Sequence, residues 1–266
     1  MFWVDIEPGL LHELNWATGE VQIWNINRRV SLIFEADDEQ LILAVQGGIV
    51  SFDLQTNKIE WLADIEKSNT DRRCNDGGVD AKGRFWIGVM DIHCKTGEGS
   101  LYRLDNLTDP PVKMLGGLTI PNGLVWSQDG KRLYFIDTVA GAVKSYIYHP
   151  DSGDIRYEGE VIRIPSSMGM PDGMTIDKDG MLWIALYGGS AISRWNPVDG
   201  ALLELIKMPV PNITNCCFAG EQLDELVITS ARENLNPKQL ARYPESGNVF
   251  VVKHPGTIGV RPSRSD

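Results

Sequence analysis

Three stretches of this chain repeat one pattern at a fixed interval, and a period of tens of residues restricts the fold more than any other sequence feature. They are NDGGVDAKGRFWIGVMD (75–91), NGLVWSQDGKRLYFIDT (122–138) and DGMTIDKDGMLWIALYG (172–188). Each runs from a polar residue and Gly through a short apolar strand and an Asp/Gly turn into an aromatic strand. Gly77, Gly123 and Gly173 mark equivalent positions 46 and 50 residues apart, close to the length of one propeller blade. No 3.6-residue apolar period accompanies the repeat, which excludes helical solenoids.

The turns Asp80–Gly83, Ser127–Gly130 and Asp177–Gly180 carry the Asp and Gly residues that a tight reversal needs, so each stretch reads as a hairpin. Further β-branched and aromatic segments follow each hairpin, as in AVKSYIYH and AISRW, and bring the unit to about four strands. The same grammar extends to one unit before these and one after, and the opening FWVDIEPGLLHELNWATGEVQIWNI makes six. The expected fold is an all-β, six-bladed β-propeller with four-stranded antiparallel blades, a single domain over residues 1–266. Trp3, Trp61, Phe85, Trp86, Trp126, Trp183 and Trp195 are expected to fill its core, since aromatics chiefly supply buried area.

The 36 acidic and 25 basic residues give a formal charge of −11, which repels phosphate backbones and anionic lipid and argues against nucleic acid or a membrane as partner. Cys74, Cys94, Cys216 and Cys217 form no C-x-x-C pair, and a disulfide framework is not expected. No run of about 18 apolar residues is present to span a bilayer. The start MFWVDIEPGLLHELNW lacks a basic segment followed by a long apolar one, so the reading is a reduced, cytoplasmic protein. His12, His93, His149 and His254 lack the spacing of a zinc motif and are expected in exposed loops. Asp5, Asp76 and Asp137 stand where a carboxylate can accept bonds from neighbouring backbone amides.

In a propeller the first strand of each blade starts near the central channel, so polar residues at those starts can converge. The starts read Arg73-Cys74-Asn75-Asp76-Gly77, Pro121-Asn122-Gly123, Pro171-Asp172-Gly173 and Asn212-Ile213-Thr214-Asn215-Cys216. Amide and carboxylate oxygens of this mix suit a hard cation such as Ca²⁺ or Mg²⁺.

The blocks RCNDGGVDAKGRFWIGVM (73–90), IPNGLVWSQDGKRLYFIDT (120–138), MPDGMTIDKDGMLWIALYGG (170–189) and TNCCFAGEQLDELVITSAR (214–232) resemble, in order, the signature blocks of the senescence marker protein/gluconolactonase/regucalcin family. The resemblance implies metal-dependent hydrolysis of a sugar lactone to its aldonic acid. It implies Asn122 and Asp172 as ligands of one divalent ion, with Ca²⁺ first and Zn²⁺, Mn²⁺ or Mg²⁺ as alternatives. Asp172 is also the implied general base. Arg73 and Asn75 are implied to hold the substrate, and His93 falls near a position that in family members reaches over it.

The family's first block, a Glu-Gly-Pro segment whose glutamate is a metal ligand, should stand immediately before Phe2-Trp3-Val4-Asp5-Ile6 and has no counterpart in the chain. The resemblance therefore implies an incomplete first blade and ring closure, a site with one carboxylate ligand, and strand edges open to self-association. Three readings stay open: a sequence without its authentic amino-terminal portion, a ring closed by another segment or chain, or a degenerate, non-catalytic member. The alternative function is a divalent-cation-binding or protein-interaction propeller without catalysis. Hydrolysis of a phosphotriester or another ester at the same metal is a third.

Overall fold

Strands such as Phe85–Asp91 and Leu182–Tyr187 are apolar at nearly every position, so they can be stable only where both faces are covered. The computed structural model describes residues 1–35 and 40–260. It consists of six sheets in which strands pair in sequence order, six blades with antiparallel ladders. The chain divides into two compact units, Met1–Pro121 and Asn122–Pro262.

The first unit holds three sheets. They comprise β1 (Phe2–Asp5), β2 (Leu10–Leu14) and β3 (Val21–Asn25); then β4 (Val30–Glu35), β5 (Gln40–Val45), β6 (Gly48–Asp53) and β7 (Ile59–Asp64); then β8 (Arg72–Val79), β9 (Phe85–Asp91), β10 (Gly99–Leu104) and β11 (Val112–Leu118). Leu11, Trp24 and Ile26 of the first sheet and its exit pack on Leu41, Leu43 and Val45 of the second. On the second sheet's other face, Phe34, Ala44 and Ile49 meet Phe85, Ile87 and Val89 of the third.

The second unit repeats the scheme. Its sheets are β12 (Pro121–Trp126), β13 (Arg132–Asp137), β14 (Ala142–His149) and β15 (Asp154–Arg163); then β16 (Met170–Ile176), β17 (Leu182–Tyr187), β18 (Ala191–Trp195) and β19 (Leu202–Lys207); then β20 (Ile213–Ala219), β21 (Glu225–Ser230) and β22 (Val249–Lys253). Along β17 the two-residue period divides the side chains. Leu182, Ile184 and Leu186 face the β12–β15 sheet, while Trp183 and Ala185 join Cys216, Leu226 and Ile228 of the last one.

Among the described residues the first and sixth sheets contain three strands and the other four contain four. In the sixth, part of the connection between β21 and β22 forms a helix, α1 (Pro237–Arg242). Asn236 and Gln239 cap it reciprocally and Pro237 starts it, a capping box that the sequence NPKQ spells out but the repeat masks. No helix among the described residues is long and apolar enough to cross a membrane.

The predicted turns are present, with Gly83, Gly130 and Gly180 each donating to the carbonyl three residues back. Two of them do more than reverse the chain. Asp80 is fully buried and accepts from the Lys82 and Arg84 amides, Arg84 Nε and Trp86 Nε1. Asp177 does the same for the Asp179 and Met181 amides, Trp183 Nε1 and Arg194 Nε. Each carboxylate ties its turn to the indole of the next strand, so the aromatic strand is held by polar bonds as well as by area. Replacing Asp177 with Ala would leave the Trp183 indole N–H and Arg194 without their buried acceptor. That variant is expected to lose about 3 kcal/mol, read as a lowered urea midpoint at unchanged m-value.

Candidate functional site

A β-bulge inserts extra residues into one strand and re-aims their side chains, and here bulges recur in the first strands of four sheets. The ladder slips between Val30 and Leu32 of β4, Cys74 and Gly77 of β8, Pro171 and Met174 of β16, and Ile213 and Asn215 of β20. The residues thrown out of register are Ser31, Asn75 with Asp76, Asp172 with Gly173, and Thr214. Asn75 and Asp172, singled out from sequence, thus sit on bulges in the first strands of their sheets. Ser31 was not anticipated, because VSLIFE lacks the Asx-Gly pair.

The repeated Gly has a steric reason within the second unit. A Cβ on Gly123 would stand 2.6 Å from Met174 Cβ and 2.9 Å from the Asp172 carbonyl oxygen. On Gly173 it would stand 2.2 Å from Asn215 Oδ1. At these two positions the first strands of the unit's consecutive sheets lie so close that only Gly leaves room.

The candidate residues fall into two groups, one in each unit. In the first, Arg73 Nη1 donates to Asn75 Oδ1 at 2.6 Å and to the Cys74 carbonyl at 3.0 Å. Asn75 Nδ2 in turn donates to the carbonyl of Pro121 at 2.8 Å, the residue before Asn122. Ser31 Oγ bonds the same Cys74 carbonyl at 2.6 Å. Arg72 and Arg73 read alike in sequence but differ in surroundings. Arg72 is ringed by carboxylates, with a Glu98 hydrogen bond, Glu66 at 3.5 Å and Asp91 at 4.0 Å. Arg73 is held by an amide and backbone, with Glu7 at 3.9 Å.

Asp76, beside Asn75 on the same bulge, is half-buried, and its Oδ1 accepts from the Gly77 amide at 2.8 Å. This is the backbone-capping role expected of it. Desolvation outweighs that bond and pushes its pKa up to about 6. Asp5, by contrast, does not cap backbone: its Oδ2 lies 3.1 Å from His12 Nε2.

In the second unit Asn122 is buried and its Nδ2 donates to Thr138 Oγ1 at 3.0 Å. The amide nitrogen is thereby engaged, so the carbonyl oxygen is the end left for a cation. Thr138, at the end of the YFIDT block, is a positioning partner that the sequence reading missed. Asp172 is half-buried on its bulge. These two supply oxygen donors with one negative charge, which fits a hard divalent ion held weakly. Among the described residues no group of three or more His, Cys, Asp or Glu could hold a metal by itself.

His93 lies exposed in the connection after β9, its backbone N–H donating to Asp91 Oδ1. His149 and His254 are exposed as expected. His12 corrects the reading: it sits within β2 at 8% exposure and stacks on Trp3 with ring centroids 4.9 Å apart. Spacing cannot show this, because a His inside a strand is buried or exposed according to which face the sheet covers. The four cysteines are free.

Comparison with known proteins gives concordant results. The family model described as SMP-30/Gluconolactonase/LRE-like region matches residues 1–232. Homo sapiens regucalcin is 36% identical over 268 residues, covering 98% of this chain and 89% of its own. A Bacillus subtilis protein that bears the name of a candidate sugar lactone lactonase, YvrE, is 32% identical over 253 residues, covering 95% and 86%. Among solved structures, the calcium-binding protein regucalcin from Agrobacterium tumefaciens superposes with a TM-score of 0.92 at 27% identity, covering 99% of this chain and 88% of its own.

Asp76 generates a pH prediction. The folded chain keeps its proton up to about pH 6, whereas the unfolded chain releases it near the ordinary value of 3.8. Stability from this group is therefore present below the lower value, falls as pH rises between the two, and is lost above the upper. Asp76→Asn is expected to stabilise the protein by about 1–3 kcal/mol at pH 7.5 and by much less near pH 3.5, measured as urea midpoints at both pH values.

Proposed function

This chain belongs to the SMP-30/gluconolactonase/LRE-like family, and we propose that it hydrolyses a sugar lactone to the corresponding aldonic acid with the strand-start residues described above. The observation that carries the reading is the treatment of Arg73. Its guanidinium is fixed in orientation by Asn75 on a bulge and by the Cys74 carbonyl, and Asn75 is itself held by the carbonyl of Pro121. A propeller serving only as a scaffold has no need of a guanidinium held in that way.

In this reaction water oxygen bonds to the lactone carbonyl carbon, the ring C–O bond breaks, and the water's proton passes to the departing ring oxygen. Asp172 accepts the proton from the attacking water as general base. Arg73 donates hydrogen bonds to the oxygen on which negative charge develops, and Asn75 keeps that guanidinium in place. Asn122 and Asp172 would hold one divalent cation, Ca²⁺ ahead of Zn²⁺, Mn²⁺ or Mg²⁺, and such an ion when bound supplies Lewis acidity toward the carbonyl. The oxygen-only donor pair and the calcium binding named for the Agrobacterium relative support that order. His93, on its exposed connection, is assigned to selection among sugars.

Initial rates on a panel of aldonolactones by pH-stat, using metal-stripped protein with each ion added back, test the proposal. Turnover is expected to return with added metal. Asp172→Ala is expected to lower kcat/KM by about 10²–10⁴-fold, and Arg73→Gln by about 10²–10³-fold. Full activity in Asp172→Ala, or no turnover by folded protein with any ion, would overturn it.

A further inference from the structure

Outside these residues, the first unit contains a cationic cleft in a chain whose net charge is −11. Two contiguous cavities of about 380 and 400 Å³ share Asn27, Arg28, Arg29 and Gln46 as lining residues; Lys67 extends the first and Glu7 the second. All come from connections: the approach to β4, the β5–β6 turn, the β7–β8 connection, and the β1–β2 connection. Their polar atoms are cross-braced. Arg29 donates to Glu7 at 2.8 Å and to Gln46 Oε1 at 3.0 Å, and Gln46 Nε2 donates to the carbonyl of Thr70 at 2.7 Å.

The charges do not balance within the cleft. Glu7 answers Arg29 and Asp64 answers Lys67, but Arg28 forms no ion pair with any carboxylate among the described residues. Arg28 lies instead over the ring of Trp61, 5.4 Å from its centroid, and Lys67 Nζ lies 3.9 Å from the same centroid. The indole holds both cations by cation–π attraction and is itself anchored, its N–H donating to Asp64. Two like charges held on one ring repel, and an anion bound in the cleft they line would relieve that repulsion. Glu7 links the cleft to the proposed site: one carboxylate oxygen bonds Arg29 and the other lies 3.9 Å from Arg73 Nε.

We propose that this cleft takes the anionic end of the substrate, so that the lactone hydrolysed carries a second, negatively charged group, a phosphate ester or a carboxylate. The proposal rests on the lactonase reading and narrows it. Arg28, Lys67 and Arg29 meet the anion with charge-assisted hydrogen bonds, the side-chain amides bind neighbouring hydroxyls, and Arg73 stands beyond Glu7 at the reacting end. A neutral aldonolactone forms none of the ionic contacts and gains nothing from the cleft.

The test compares kcat/KM for gluconolactone, its 6-phosphate and glucarolactone in the metal-loaded protein and in Arg28→Gln and Lys67→Gln. The charged lactones are expected to be preferred by at least about tenfold, a preference that shrinks as ionic strength rises. Either substitution is expected to reduce the charged-to-neutral ratio about tenfold. Whichever charged lactone gains more identifies the group as phosphate or carboxylate. Equal ratios in all three proteins would overturn the proposal. Calorimetric titration with gluconate 6-phosphate and with glucarate separates the two readings. Binding that weakens in Arg28→Gln without turnover of any lactone would leave the cleft standing and refute the lactonase. Turnover without preference, and binding unaffected by Arg28→Gln, would do the reverse.

Discussion

Close approach of consecutive first strands is the constraint on which much else depends. Where the backbone of β16 passes Gly123, and Asn215 passes Gly173, no room is left for a Cβ. A flat, regular ladder would carry a side chain there, so the strands bulge at the same level and turn the adjacent polar residue out of the pleat. The glycine and the polar residue before it are two parts of one device. The glycine permits the approach, and the bulge decides where the neighbouring Asx side chain points. Sheet packing and the placing of the candidate site residues therefore share the same three-residue segments.

Electrostatics repeats the theme of local pairing within an acidic chain. Asp80 and Asp177 are buried, and each is satisfied by two backbone amides, an indole N–H and an arginine. That is the condition under which a buried carboxylate is tolerated. Arg72 is matched in the same spirit by Glu66, Asp91 and Glu98. Against this background the exceptions carry the functional argument. Asp76 is charged at neutral pH at a cost to stability, and Arg28 rests on an indole and pairs with no carboxylate among the described residues. Stability that could be gained cheaply and is forgone at clustered positions is the pattern expected of a working site.

Much of this was legible from the residues. The repeat located the blades, since the aromatic strands FWIGVM, LYFID and LWIALY can only be central strands covered on both faces. The Asp/Gly turns named the hairpins, and the polar strand starts put Asn75, Asn122 and Asp172 among the candidates, to which the family resemblance gave roles. Less legible were contacts between distant segments. Nothing in YFIDT marks Thr138 as the partner of Asn122, nothing near Pro8 marks Glu7 as the neighbour of Arg73, and His12 gives no sign of its burial.

Sequence alone determined the period, the strand grammar, the turn chemistry and the residue types available at strand starts, because these depend on bonds and steric preferences within a few residues. Only the tertiary structure decided which of two adjacent arginines meets three carboxylates, which end of the Asn122 amide is bonded to Thr138, and where two cations gather on one indole. Those outcomes depend on atoms brought together from segments tens of residues apart, where burial and pairing, not local propensity, set the energy.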